Sequence, residues 1–192
     1  MDHAPHTQPP VDPDGGTRFD LRWPTIGHLV WDLPRLWGDD GLALVDGDRS
    51  WTWAELRDGC VEVARGLRAA GVDRGDRVAI WAPNSAAWVL ALGGLHLVGA
   101  ALVPINTRFK GAEAAYLLAR SGAVALFTVG DFLGVDYPAA LRAALDEPGA
   151  EIHELPALRQ IVLLEELDAF AATGAPISAE SIESGLGPRT GS

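Results

Sequence analysis

The side chains best suited to binding chemistry stand together, directly after an apolar run. Asn106, Thr107, Arg108 and Lys110 follow the uncharged stretch that ends at Ile105, and Lys110 is the only lysine in the chain. A guanidinium in this position suits a phosphate, because it offers paired N–H donors in one plane. The same switch from apolar to polar is typical of a strand that ends in a turn begun by asparagine. The residues alone therefore leave open a phosphate contact and a solvent-facing arginine.

Other reactive side chains in the sequence favour structural roles. Cys60 lies on the apolar stripe of a predicted helix, where packing is the expected role of a thiol. His96 lies on an apolar helix and is interpreted as a packed histidine. His3 and His6 have no preorganised partners with which to bind a metal. The carboxylates of residues 165–168 point in different directions on a helix, which predicts a solvated face.

Composition excludes several classes of function. The chain has 192 residues, of which 48% are hydrophobic, and this is enough to bury the core of one domain. Its net charge of −11 argues against a nucleic-acid partner, since phosphate backbones require a basic face. A single cysteine excludes an internal disulfide and makes the cytoplasm the default location. The sequence has no P-loop, dinucleotide-binding, zinc-protease or serine-hydrolase motif.

The chain divides into a short tail and one larger unit. Residues 1–20 are rich in Pro, Asp and Gly and have no signal-peptide pattern, so they predict a disordered tail. Residues 21–192 are predicted to form one α/β unit. Within this unit, polar sequence from Thr173 onward predicts weak order, and residues 185–192 are expected neither to pack nor to cap a helix.

One segment has the length of a membrane span. Residues 86–105 include 20 consecutive positions without Asp, Glu, Lys or Arg. Their sequence instead predicts a helix followed by a buried strand, because Asn84 and Ser85 resemble a helix start after Pro83 and Gly99 resembles a helix end. Gly93 and Gly94 also lower the helix propensity of a continuous span. The prediction is therefore that no segment crosses a membrane.

Periodicity predicts an α/β fold with a largely parallel sheet flanked by helices. A hairpin with an Asp-Gly turn comes first, and Thr52 and Glu55 then form the sequence pattern of a reciprocal helix cap. Strands and helices alternate from there on, which is typical of a parallel sheet covered by helices. The predicted strands are 42–46, 50–53, 77–81, 101–105, 123–129 and 160–164, and the predicted helices are 53–70, 84–98, 111–121 and 137–145.

Two stretches resemble early motifs of the adenylate-forming superfamily, most closely the AMP-forming fatty-acyl-CoA synthetases. One is the aromatic-x-Glu-Leu pattern within Trp51 to Leu56, and the other is the G-A-x-x-x-P-x-N pattern from Gly99 to Asn106. The resemblance is close between residues 42 and 129 and looser beyond them. It implies the first α/β subdomain of the family's large domain.

The resemblance also implies chemistry that this sequence does not contain. The complete enzyme would use ATP, Mg²⁺ and CoA to convert a carboxylic acid, such as a fatty acid, to an acyl-adenylate and then to a thioester. The family's phosphate loop and catalytic lysine are absent here, and Lys110 matches neither family lysine. We therefore expect a chain that ends before the phosphate loop, lacks the C-terminal subdomains, contains no catalytic residue and is inactive by itself.

Arg108 occupies the position at which related CoA ligases are similar in placing an arginine close to the nucleotide part of CoA. The resemblance thus implies that Arg108 is a cofactor-binding residue of the complete enzyme. Two other functions remain open at this point. One is a non-catalytic binding or interaction module with the same fold, and the other is an adenylation domain that loads a carrier protein.

Overall fold

Strands and helices alternate along residues 23–188, which the computed structural model describes. The helices are α1 (Ile26–Trp37), α2 (Trp53–Ala69), α3 (Ala86–Leu97), α4 (Gly111–Ser121), α5 (Tyr137–Asp146), α6 (Leu167–Ala172) and α7 (Ala179–Gly185). The strands are β1 (Leu42–Asp46), β2 (Arg49–Thr52), β3 (Arg77–Trp81), β4 (Ala101–Pro104), β5 (Ala125–Thr128), β6 (Asp131–Phe132), β7 (Val135–Asp136) and β8 (Gln160–Leu163). The predicted tail, residues 1–20, lies outside the described residues, and so do His3 and His6.

Four parallel strands form the main sheet in the order β4-β3-β5-β8. In register, Val78 on β3 lies opposite Leu102 on β4 and Ala125 on β5. Two antiparallel hairpins, β1–β2 and β6–β7, stand apart from this sheet. The predicted α/β class with a largely parallel sheet is confirmed.

The sheet is covered by helices on both faces. Along β3, Val78 and Ile80 are buried with residues of α2 and α3, whereas Ala79 and Trp81 are buried with residues of α4 and α5. Successive strand residues point to opposite faces, so one five-residue strand supplies both cores. This double burial explains why the strand reads as a continuous apolar run.

The predicted strand after Gly99 is confirmed in position, but the expectation that it is buried is wrong. β4 lies at the edge of the sheet, and its end residues Ala101 and Pro104 are exposed. Proline has no N–H to donate to a neighbouring strand, and an edge position tolerates this loss.

Glycines of α3 allow a close helix crossing and do not interrupt the helix. A Cβ on Gly93 would lie 2.2 Å from the Cys60 Sγ, and one on Gly94 would lie 2.6 Å from Val63 Cγ1. The helix ends where Gly99 adopts a left-handed φ of 78°. Over residues 23–188, none of the helices combines the length and apolarity that a membrane crossing needs.

The C-terminal part of the described chain packs, contrary to the prediction of weak order after Thr173. Ser178 caps α7, whose Ile182 is buried, and Leu186 is buried just beyond the helix. His28 donates from Nε2 to the carbonyl of Gly187 at 3.3 Å, so α1 is tied to the end of α7. α7 was not predicted because few apolar side chains mark it in the sequence, and α1 and the β6–β7 hairpin were not predicted either.

The predicted cap of α2 is confirmed in full. The Glu55 N–H donates to the Thr52 hydroxyl oxygen at 3.2 Å, and the Thr52 N–H donates to the Glu55 carboxylate at 2.8 Å. Two backbone N–H groups that have no partner within the helix are thereby satisfied.

Thr52→Ala should lower the free energy of unfolding by about 1 kcal/mol, because it removes the acceptor of one of these N–H groups. Urea denaturation followed by circular dichroism measures the change. Ser50→Ala removes a hydroxyl from an exposed residue of the adjacent strand and serves as the control. Equal unfolding midpoints for the two variants would show that the cap does not stabilise the first turn of α2.

Candidate functional site

A tight turn follows β4 and carries the predicted site residue Arg108. Ile105 still continues the strand pairing, since its N–H donates to the Ile80 carbonyl at 2.9 Å. Asn106 then begins the turn. Its Oδ1 accepts from the Arg108 N–H at 2.9 Å, and its carbonyl accepts from the Phe109 N–H at 3.0 Å. The turn predicted at Asn106 is therefore present, with the side chain in its expected local role.

Two buried aromatic side chains bind the carbonyl groups of this turn. Trp81, the last residue of β3, donates from Nε1 to the Asn106 carbonyl at 3.2 Å. Tyr137, the first residue of α5, donates its hydroxyl to the Thr107 carbonyl at 2.9 Å. The two rings stack with centroids 4.3 Å apart. Desolvation raises the pKa of Tyr137 above its ordinary value, so the phenol remains a protonated donor at neutral pH.

The two cations of the turn face solvent. Arg108 and Lys110 are both exposed, and among residues 23–188 neither side chain is ion-paired. The Lys110 N–H donates to the Glu113 carboxylate at 2.9 Å, which fixes the start of α4. The backbone is thus held on both sides of Arg108, while the guanidinium itself can reach an anion.

A crevice of about 570 Å³ opens beside the same turn, at the carboxyl ends of β3 and β4 and the start of α3. Its polar lining comes from Asn84, Asn106 and Thr107, and its apolar lining includes Ile80, Trp88 and Ile105. Open α/β sheets bind ligands outside the carboxyl ends of their strands. The crevice can therefore hold an apolar group between its walls and hydrogen-bond a polar group at the turn.

The sequence that forms the sheet and this crevice matches a known protein family. Residues 36–188 match the model of the family described as "AMP-binding enzyme", a range that contains the turn and the whole parallel sheet. This chain belongs to the AMP-binding enzymes.

Relatives of this chain include acyl-CoA ligases. It is 44% identical over 157 residues to the "3-[(3aS,4S,7aS)-7a-methyl-1,5-dioxo-octahydro-1H-inden-4-yl]propanoyl:CoA ligase" of Mycobacterium tuberculosis, with 78% of this chain and 28% of that protein covered. The structure of the anthranilate CoA ligase AuaEII in complex with anthranoyl-AMP is similar at a TM-score of 0.64 and 26% identity, covering 83% of this chain and 28% of that one.

A third similarity concerns the fold alone. The Mycobacterium tuberculosis fatty acyl CoA synthetase has a TM-score of 0.65 at 23% identity, over 77% of this chain and 28% of its own. The chain therefore spans 28% of the length of the curated relative and of both solved structures.

The remaining candidate residues occupy structural positions in this member of the AMP-binding enzyme family. Cys60 is buried on the face of α2 that packs against α3, as predicted, and burial raises the pKa of its thiol to about 12. His96 is half-buried on α3, and desolvation lowers its pKa. The acidic residues among 165–168 are exposed, and the carboxylate of Glu165 accepts from the Gly130 N–H at 3.1 Å. Over the described range, no three or more His, Cys, Asp or Glu side chains group as metal ligands.

Sequence reasoning found the turn but missed its surroundings. It did not identify Trp81 or Tyr137 as contacts of the turn, because their partners lie 25 and 30 residues away in the chain. It also missed Asn84 and Trp88 as lining residues of the crevice. One usable signal was present: in a parallel sheet, residues that follow neighbouring strands meet at one edge.

Cys60 should react slowly with Ellman's reagent in the native protein, because burial blocks access and a thiol with a pKa of about 12 is only about one part in ten thousand ionised near pH 8. The chain has a single cysteine, so the absorbance reports this thiol alone. The same reaction in guanidinium chloride provides the control and should reach one thiol per chain. Rapid stoichiometric labelling under native conditions would contradict the buried assignment.

Proposed function

We propose that this chain is the N-terminal part of an acid–thiol ligase that activates a carboxylic acid, such as a fatty acid, with ATP. The carboxylate attacks the α-phosphate of ATP, which yields acyl-AMP and pyrophosphate. The thiol of CoA then attacks the acyl carbon, the thioester forms, and AMP leaves. The observation that carries the proposal is the 44% identity to a CoA ligase within a family match over residues 36–188.

In this proposal the chain supplies binding surface and no catalytic side chain. The crevice at the ends of β3 and β4 forms one wall of the channel for the acyl group or the pantetheine arm of CoA. Arg108 contacts a phosphate of the CoA nucleotide, which the exposure of its guanidinium permits. The described residues contain no cluster of acidic or His side chains that fits Mg²⁺, so we assign no metal ligand to them.

The ATP phosphates are then held by parts of the enzyme outside this chain. The printed sequence contains no Gly-rich loop that ends in lysine, which is the element that would surround those phosphates with backbone N–H groups. The boundary between the tail and the α/β unit at residue 20 remains a prediction. The cytoplasmic location and the preference for a fatty acid remain predictions as well.

Residues 1–192 alone should show no acid-dependent exchange of labelled pyrophosphate into ATP, since exchange requires the phosphate-binding groups that this chain lacks. The complete enzyme, which carries this chain at its N-terminus, should catalyse exchange and form a thioester when CoA is added. Exchange by residues 1–192 above a heat-inactivated control would overturn the division of roles. A complete protein that transfers the acyl group only to a carrier protein would overturn the choice of CoA as acceptor.

Arg108→Ala in the complete enzyme should raise the KM for CoA by roughly ten- to a hundredfold, the effect of losing one charge-assisted contact. Pyrophosphate exchange should remain nearly unchanged, because adenylation does not use CoA. Arg108→Lys should recover part of the loss, since a point charge replaces a planar fork. Arg142→Ala, an exposed arginine on α5, is the matched control. A parallel fall in both half-reactions would mean that Arg108 supports the fold.

A further inference from the structure

The turn that carries Arg108 is held by hydrogen bonds from residues that are distant in the sequence. The carbonyls of two consecutive residues, Asn106 and Thr107, each accept a hydrogen bond from a buried aromatic donor. Turns at strand ends ordinarily leave such carbonyls to water. Here one donor is the last residue of β3 and the other is the first residue of α5. The sheet and a helix that packs on it therefore both hold the turn.

The Tyr137 contact fixes the orientation of one particular peptide group. The Thr107 carbonyl and the Arg108 N–H belong to the same planar peptide and point in opposite directions. The carbonyl accepts from the Tyr137 hydroxyl at 2.9 Å, and the N–H donates to Asn106 Oδ1 at 2.9 Å. With both ends bonded, this plane cannot rotate without the loss of a hydrogen bond. The next peptide is held as well, because the Phe109 N–H donates to the Asn106 carbonyl at 3.0 Å. Together the two planes set the direction in which the Arg108 Cα–Cβ bond leaves the backbone.

Tyr137 is itself held from several sides. Its ring stacks on Trp81 at an interplanar angle of 14°, and Phe132 meets it edge-on with centroids 6.5 Å apart. The Tyr137 N–H donates to the Gly130 carbonyl at 3.2 Å, and Asp136 caps the helix that begins at Tyr137. The phenol is therefore presented to the turn from a rigid position, which is the arrangement that orienting a ligand-binding group requires.

We propose that Tyr137, stacked on Trp81, is a positioning residue that orients the Thr107–Arg108 peptide and so directs the Arg108 guanidinium toward the phosphate of an incoming nucleotide. This inference rests on the proposed function of Arg108. It assigns to Tyr137 a role in CoA affinity although the residue is buried and its hydroxyl is bonded to the turn.

Amide hydrogen exchange, measured by NMR on residues 1–192, tests the positioning without reference to activity. Tyr137→Phe keeps the ring and removes only the hydroxyl donor. The Arg108 amide should then exchange about two- to tenfold faster, the factor that corresponds to the loss of one neutral hydrogen bond, while the amides of β3 and β5 keep their rates. Tyr116→Phe changes the other tyrosine of the chain, which is exposed on α4, and should alter neither.

Kinetics of the complete enzyme test the consequence. Tyr137→Phe should raise the KM for CoA by about two- to tenfold and leave pyrophosphate exchange unchanged. In an Arg108→Ala background the same substitution should have no further effect on this KM, because the group that it positions is gone. Additive effects of the two substitutions would overturn the positioning role, since Tyr137 would then act independently of Arg108.

The two measurements separate failure of this inference from failure of the proposed function. If Arg108→Ala raises the KM for CoA but Tyr137→Phe leaves the Arg108 amide unchanged, Arg108 binds CoA and the positioning role of Tyr137 is wrong. If Arg108→Ala has no effect on CoA, the assignment of Arg108 fails, and the positioning role for CoA binding fails with it even where exchange at the turn is faster. Faster exchange throughout β3 and β5 would mean that Tyr137 only stabilises the fold.

Discussion

Burial of β3 on both faces is the constraint on which the rest of this structure depends. Val78 and Ile80 are almost fully buried against one layer of helices, and Ala79 and Trp81 against the other. Burial of each large apolar side chain is worth about 1.5–3 kcal/mol, so neither layer can shift along the strand without exposing apolar surface. β3 also pairs with β4 and β5 at its two edges, which fixes where all three strands end. The crevice and the turn lie where they do because those ends are fixed.

The side of the crevice that is lined by Asn84 and Trp88 depends on the position of α3. Gly93 and Gly94 let α3 approach α2 closely, and Cys60 and Val63 fill the space that side chains on those glycines would occupy. The start of α3 is fixed separately, since the Ala86 N–H donates to the Asp46 carboxylate at 2.8 Å. The small β1–β2 hairpin thus positions the start of α3, which contributes Trp88 to the crevice and directly follows the loop that contributes Asn84.

Local chemistry made much of this fold predictable from sequence. The Thr52–Glu55 cap, the left-handed Gly99 after α3 and the apolar strands are decided by residues within a few positions of each other, and these elements were predicted close to their observed bounds. Elements held by distant contacts were missed. The packing of α7 depends on Ile182 and Leu186, and its link to α1 depends on a histidine 159 residues before its partner. No periodicity within a short polar segment reports such partners.

The candidate site likewise combines features that are local in the sequence with contacts between distant residues. Asn106 and Arg108 were predictable because an abrupt end of apolar sequence and an Asx turn are local features, whereas the contacts of Trp81 and Tyr137 with the turn exist only once the sheet has formed. The proposed role of Arg108 is compatible with an acidic protein because electrostatic interactions in water are short-ranged. Charges further than about 8 Å away are largely screened at physiological ionic strength. The net charge of −11 therefore disfavours long basic-groove contacts with nucleic acid, whereas a small anionic ligand at this turn would lie beside the exposed Arg108 and Lys110, with Glu113 as a nearby carboxylate. A guanidinium held in one direction can select such a ligand through geometry, which the overall charge of the protein cannot do.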